Sequence, residues 1–366
     1  TSITSKEVES KYISIGLKKS LLQEEERHQI FKVSTEYENW KNRIGAYDFQ
    51  DFVRHIKLQL DRFGYKGNRI HFLMVDEVQD CTGNLLKVLM SVTEQHLFFA
   101  GDTAQTIAKG VGFRFCDLKT LFFLGEYHKF PDMFQLSKNF RSHGKILDLA
   151  NSIIVMIQSL FPETIDSFQP EVSYIDGPKP FVLNSNSIES LESFLLGKNR
   201  RRKDKAIEFG CNQAVIVRNE ASKNDLPLVL RNAVCLSVFE SKGLEFEEVI
   251  IYNFFADSSV PLKMWDYLER IDTSNYPSRV SAPNFNKIKY SLLCTELKHL
   301  YVCVTRAKKK ILFFDTDLPK RKPLEHFWGI HDLIEVSRTL EGSLVSFEGY
   351  DDLFLNPDTS RKGWKK

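Results

Sequence analysis

Apolar positions follow two rhythms along this chain. Over residues 1–64 they recur at helical spacing, most clearly at Phe49, Phe52, Val53, Ile56 and Leu60, which predicts a helix with that stripe turned toward a core. Leu21 to His28 is a charge-rich helical stretch. From residue 70 onward, short continuous apolar runs alternate with helical segments, the pattern of a parallel sheet covered by helices. Strands are predicted at 70–75, 96–100, 181–183, 213–218, 234–238, 248–254 and 310–314. Helices are predicted at 84–93, 145–160, 187–196, 222–231 and 293–306. A phenylalanine-rich connection fills 111–134, and Pro162, Pro170, Pro178 and Pro180 make 162–180 a loop.

Two predicted strands end in candidate chemistry. Phe72-Leu73-Met74-Val75 runs into Asp76 and Glu77, then Val78-Gln79-Asp80. Ligands of open α/β sheets bind outside the carboxyl ends of the strands. Paired carboxylates there can hold a Mg²⁺-nucleotide, one on the metal and one orienting or deprotonating water. One strand-helix unit later, His96-Leu97-Phe98-Phe99-Ala100 ends in Gly101-Asp102-Thr103-Ala104-Gln105. Gly101 permits a tight turn, and Gln105 carries both a donor and an acceptor suited to sensing a phosphate or its water.

These boxes resemble those of the UvrD/Rep branch of superfamily-one helicases. Asp76-Glu77-Val78-Gln79-Asp80 looks like Asp-Glu-x-Gln-Asp, and Gly101–Ile107 looks like Gly-Asp-x-x-Gln-Ser-Ile. Leu136-Ser137-Lys138-Asn139-Phe140-Arg141-Ser142 resembles Leu-x-x-Asn-Tyr-Arg-Ser, and Gln213–Asn219 resembles an Ala-Val-Leu-x-Arg strand. Ser241–Ile250 is similar to Lys-Gly-Leu-Glu-Phe-x-x-Val, and Leu300–Lys309 to Leu-Tyr-Val-Ala-x-Thr-Arg-Ala. Upstream, Tyr47–Phe52 resembles Asp-Phe-x-Asp-Leu. The boxes stand in family order over about residues 45 to 315, which excludes coincidence.

The resemblance implies an α/β fold of two RecA-like lobes with parallel sheets flanked by helices, the first lobe incomplete. It divides the chain into 1–128 (first, ATP-binding lobe with a preceding helical segment), 129–330 (second lobe) and 331–366 (extension or linker). It implies ATP and Mg²⁺ as cofactors, with Asp76 on the metal and Glu77 activating water. Gln105 would contact the γ-phosphate and couple hydrolysis to movement, and Arg141 and Arg306 would reach that phosphate as arginine fingers. Gly243 and Glu245 would line the nucleotide, Glu245 near the ribose. The implied function is that of part of an ATP-dependent helicase or translocase moving on single-stranded DNA or RNA. The alternative is a pseudo-helicase module that binds protein or nucleic acid without turnover.

The chain departs from the family pattern in two places. No Gly-x-x-x-x-Gly-Lys-Ser/Thr phosphate loop occurs in its 366 residues. Either the chain is a fragment of a longer polypeptide that supplies the loop, or the motor has lost it. Gly110 occupies the place of the family's base-stacking tryptophan, which weakens the expected grip on a single strand; Phe113 or Phe115 could substitute, but both are read first as core residues. The short interval between Arg141 and Lys242 resembles the trimmed motor of large eukaryotic proteins with TPR and ankyrin repeats. Those repeats would then lie in the same polypeptide, and Ser360–Trp364 would open a TPR-like helix or end a tail.

Composition narrows the class further. A net charge of +2 gives no global basic footprint, although Lys198–Lys205 forms a basic loop able to track phosphates or solvate itself. Lys308-Lys309-Lys310 is expected to cap the preceding helix through its dipole. Six scattered cysteines predict reduced, mostly buried thiols rather than a disulfide or zinc frame. No apolar run reaches membrane-spanning length, so an intracellular chain is expected, nuclear or cytoplasmic.

Overall fold

The computed structural model describes residues 5–15, 22–108, 112–124, 131–196, 209–283, 285–337, 339–340 and 343–344. The chain forms two compact units: residues 1–76 with 81–100, and residues 77–80 with 101–366.

The first unit carries α1 (Ser5–Ile13), α2 (Glu24–Ile44), α3 (Phe49–Phe63), β1 (Ile70–Val75), α4 (Gly83–Ser91) and β2 (Thr93–Phe99). A reciprocal cap between Gln23 and Glu26 starts α2, and Gly45 in the left-handed region (φ 68°) ends it. Asp48 starts α3 by accepting from the amides of Gln50 and Asp51, while Asp51 returns the bond to the Asp48 amide. Lys41 reaches from α2 into this cap, 2.6 Å from Asp51 and 2.9 Å from Asp48. The Asp-Phe-x-Asp segment is therefore a helix start stapled to its neighbour. β1 and β2 pair in parallel, Leu73 opposite Leu97 and Val75 opposite Phe99.

Burial in this unit differs from expectation. Of the predicted stripe only Val53 is buried, whereas Phe49 and Phe52 are exposed. Along the strands the pleat divides the faces: Leu73, Val75, Leu97 and Phe99 are half-buried, while Phe72, Met74 and Phe98 are exposed.

The second unit begins with α5 (Phe115–Leu124), β3 (Lys138–Asn139), α6 (Gly144–Leu160), β4 (Val172–Ser173), β5 (Phe181–Val182) and α7 (Ile188–Leu196). It continues with β6 (Gln213–Val217), β7 (Val234–Ser237), α8 (Val238–Ser241), β8 (Phe246–Tyr252) and α9 (Leu262–Trp265). It closes on α10 (Ser291–Val304), β9 (Ala307–Phe314), α11 (Leu318–Ile330) and β10 (Glu335–Val336). Six of its strands make one all-parallel sheet in the order β10-β5-β9-β8-β6-β7. Period-two alternation buries both faces. Ala214, Ile216, Val249, Ile251, Ile311 and Phe313 join the core with α6 and α10, whereas Val215, Val217, Ile250, Tyr252, Leu312 and Phe314 join Leu191 and Leu195 of α7 on the other side. Each valine, leucine, isoleucine or phenylalanine among them, fully withdrawn from water, contributes about 1.5–3 kcal/mol. The sheet edge β10 lies beyond residue 330.

Three local expectations change. Residues 222–231 are two short 3₁₀ turns, Ala221–Asp225 and Leu228–Leu230, because Pro227 holds Leu226 extended and interrupts the helix. Lys308, Lys309 and Lys310 belong to β9 and pair across the sheet with Glu245, Glu247 and Glu248 around β8, so they form a charge ladder rather than a helix cap. All six cysteines are free, but only Cys294 and Cys303 are buried, and Cys116 and Cys211 are exposed. Phe113 is buried, as expected of a core residue. Gly110, the basic run 198–205 and Ser360–Trp364 lie outside the described residues. Among the described residues no helix is long and apolar enough to cross a membrane.

Candidate functional site

Beyond Asp76 the chain turns sharply. Glu77 sits at φ 52°, a left-handed conformation uncommon for a residue with a Cβ. Val78–Asp80 is one 3₁₀ turn, closed by the Asp80 amide on the Glu77 carbonyl at 2.9 Å. Val78 and Gln79 are fully buried in it. The Gln79 amide nitrogen donates to the Glu77 carboxylate, and its Oε1 accepts from the Asp102 amide at 3.1 Å. Gly101 is required by this close approach and not by a positive φ. A Cβ there would collide with Gln79 Oε1 and lie 2.9 Å from Val78 Cγ1.

Asp102 caps the next turn, Thr103–Gln105, through the Ala104 amide at 2.8 Å. Its other oxygen accepts from Gln105 Nε2 at 2.9 Å. Burial raises the Asp102 pKa, against the pull of Gln105, the Ala104 amide and the Tyr301 hydroxyl. Gln105 Oε1 then accepts from Arg306 Nη2 at 3.0 Å. An unbroken hydrogen-bond relay therefore runs Glu77–Gln79–Asp102–Gln105–Arg306, all within the second unit.

Arg306 is 1% exposed. Besides Gln105 it donates to the carbonyls of Val302 at 3.0 Å and Leu244 at 3.1 Å, and to the Thr305 hydroxyl at 3.0 Å. Burial lowers its pKa, and the nearby Arg141 charge lowers it further. The guanidinium is thus engaged by the protein, its geometry set by α10 and by the Leu244 carbonyl, next to Gly243.

Around this relay lies a ring of charge. Lys242 Nζ is 2.6 Å from Asp80 and 3.5 Å from Glu77, so a cation stands beside the expected water-activating carboxylate. Gly243 has φ 79°, where a side chain is strained, and a Cβ there would meet nothing within 4 Å. Arg141 Nε is 2.5 Å from Glu245, which Lys308 also contacts. Lys308 foremost, with Arg141, holds the Glu245 carboxyl below its usual range against the effect of burial. Asn139 Oδ1 accepts from the Arg141 and Ser142 amides at 2.8 and 3.0 Å, while its Nδ2 donates to Glu171 at 2.7 Å. Ser142 Oγ and His143 Nε2 contact the Ala307 and Lys309 carbonyls at 2.6 and 2.7 Å. The Arg141 turn is thereby fixed to the strand that follows Arg306. Phe140, beside it, is 77% exposed.

The structure brings Glu77, Gln105 and Arg306 into one network and pairs Arg141 with Glu245. Asp76 ends the first unit's strand segment, while the other candidates belong to the second unit. Sequence reasoning missed Gln79, Asn139 and Lys242, each inside a quoted box but silent without geometry. It also missed Lys298 and Tyr301, which lie eight and five residues before Arg306, Tyr301 inside the quoted Leu300–Lys309 box.

Residues 2–127 match the model of the UvrD/REP helicase N-terminal domain. This chain is UvrD/Rep-like. It is 34% identical to the human TPR and ankyrin repeat-containing protein 1 over 96% of this chain and 13% of that protein. It is 24% identical to a probable DNA helicase of Mycoplasma pneumoniae over 75% of this chain and 49% of that protein. The UvrD-like chain thus spans only part of each relative. The solved Arterivirus nonstructural protein 10 (helicase) aligns with a TM-score of 0.33 at 14% identity, over 70% of this chain and 42% of that one.

Proposed function

We propose that this chain is the back part of an ATP-driven helicase or translocase motor acting on single-stranded nucleic acid. The observation that carries the reading is the relay from Glu77 through Gln79, Asp102 and Gln105 to Arg306. A hydrolytic carboxylate, a phosphate-sensing amide and a guanidinium in one hydrogen-bonded line form a means of passing the state of a phosphate to the fold. The names of the relatives, among them an ATP-dependent DNA helicase of Schizosaccharomyces pombe, support the same class.

The residues present fit ATP and Mg²⁺. Magnesium takes one or two carboxylates and completes its shell with phosphate oxygens and water. Asp76 is assigned that ion, and Glu77 the proton of the attacking water. Open space above Gly243, the half-exposed Arg141 and the bare ring of Phe140 offer room, charge and a stacking face for a nucleotide. Bound ATP-Mg²⁺ supplies the phosphoanhydride and neutralises its charge. Gln105 and Arg306 are assigned to its terminal phosphate, Arg141 to its phosphates, and Gly243 and Glu245 to its walls, with Glu245 toward the ribose once freed from Arg141.

The test is the complete polypeptide carrying this chain, assayed for magnesium-dependent ATP hydrolysis with and without single-stranded DNA or RNA. Stimulated turnover that Glu77→Gln abolishes is expected. Absence of turnover with retained ATP or strand binding would replace the motor with the pseudo-helicase.

A further inference from the structure

α10 and the residue just past its C-cap bond the Asp102–Gln105 turn at two points. Lys298 Nζ donates to the Thr103 carbonyl at 3.4 Å, Arg306 donates to Gln105, and the Tyr301 hydroxyl draws down the Asp102 pKa. Residues 298 and 301, three apart, share one side of α10, and Arg306 follows just beyond its C-cap Thr305. The turn is gripped from its other side as well: Thr103 Oγ1 accepts from the Asp166 amide at 2.9 Å. Lys298 closes the clamp, since it also donates to the Thr164 carbonyl at 2.8 Å.

Lys298 is the informative member. It is 7% exposed, and among the described residues no carboxylate lies within ion-pair distance of it. A buried ammonium without an ion partner is expensive, and an apolar side chain of similar length would serve packing better. Its charge is met by two backbone carbonyls, one of which belongs to the turn that carries Gln105. Tyr301 is 5% exposed, and its hydroxyl draws down the pKa of the carboxylate that fixes the Gln105 amide.

We propose that Lys298 and Tyr301 are positioning residues that clamp the Asp102–Gln105 turn to α10 and so hold Gln105 against Arg306. The inference rests on the ATPase reading for its consequence, but the clamp itself is testable apart from it. With the clamp closed, a shift of Gln105 by a bound phosphate moves α10 and Arg306 with it. With the clamp open, Gln105 moves alone and the coupling is lost.

The experiment uses the complete polypeptide and the substitutions Lys298→Met and Tyr301→Phe, with Lys298→Arg as the conservative variant. Tyr301→Phe removes one hydroxyl and keeps the packed ring, so it serves if Lys298→Met does not fold. Hydrogen exchange of the 102–106 amides is expected to rise about tenfold in Lys298→Met and Tyr301→Phe, as local opening becomes easier. Strand-stimulated kcat is expected to fall by up to about 10²-fold at nearly unchanged KM for ATP, the scale of a small misplacement of catalytic groups. Lys298→Arg should restore part of both. Unchanged exchange overturns the clamp. Raised exchange with wild-type kcat overturns its positioning role. If the wild-type protein hydrolyses no ATP, the ATPase reading fails by itself, and the exchange data alone then decide the clamp.

Discussion

Arg218, Glu296 and His299 show how far single residues here depend on one another. Arg218 Nε donates to both Glu296 oxygens at 3.0 and 2.8 Å, and His299 Nδ1 lies 3.1 Å from Arg218 Nη2 and 3.3 Å from Glu296. The side chains of Glu296 and Arg218 are 2% and 13% exposed. Burial pushes the Glu296 pKa up, but Arg218 and His299 outweigh it and hold it at about 2. A depressed carboxyl pKa adds stability that is present above the unfolded value, about 4.3. That stability is lost as pH falls through about 2. Glu296→Gln leaves Arg218 without a charge partner, and breaking a buried pair costs about 3–5 kcal/mol. Urea unfolding near neutral pH should show that loss, and the gap to wild type should close in acid. A constant gap across pH would mean that the carboxylate acts through shape alone. At this scale the sequence was legible by motif only. Arg218 was visible as the end of a strand, but nothing in Ser-Leu-Leu-Cys-Thr-Glu296 announces the carboxylate that receives it.

Among elements, the second unit's parallel sheet and its helices were legible because uninterrupted apolar runs demand burial on both faces, as Val215, Ile250 and Leu312 receive. Failures trace to single residues. Pro227 breaks what apolar spacing promised as a helix. Lys308–Lys310 read as a helix end until the register of β8 and β9 placed Lys310 opposite Glu248. Phe72 and Phe98 share the composition of buried strands yet stay exposed, since composition cannot say which face is covered. The start of α3 offers a test at this scale. Lys41 foremost, then the Asp51 amide, hold the Asp48 carboxyl at about 2. Its contribution is therefore present above the ordinary aspartate value, about 3.9. It disappears as pH falls toward about 2. Asp48→Ala should lower Tm by removing both cap and ion pair. Asp48→Asn should keep the cap, because asparagine caps as well as aspartate, and lose the Lys41 ion pair with its acid dependence. Equal damage from both would show that Lys41, and not the cap, is what α3 requires.

For the whole molecule the question is what the relay does once a phosphate is held. The 366 residues contain no phosphate-loop pattern, and the chain spans 13% of its human relative. The isolated chain should accordingly show almost no ATP turnover, because its sequence holds no such loop to keep the phosphates in line for attack. In the complete polypeptide, Arg306→Ala should lower kcat far more than it raises KM. On the proposed reading its guanidinium would act on charge that develops as the terminal phosphate leaves, so its loss would fall on the transition state. Arginine fingers elsewhere contribute about 10³ to 10⁵ in rate. Arg306→Lys should rescue poorly, because one ammonium cannot bond Gln105, Thr305 and the Val302 and Leu244 carbonyls from their separate directions. Burial sharpens the test. Arg306→Ala also takes a donor from the Leu244 carbonyl and from Gln105 Oε1, so Tm must be measured beside the kinetics. A stable Arg306→Ala protein with wild-type kcat would make this arginine a structural tie between the Leu244 loop and α10, and the relay would end at Gln105.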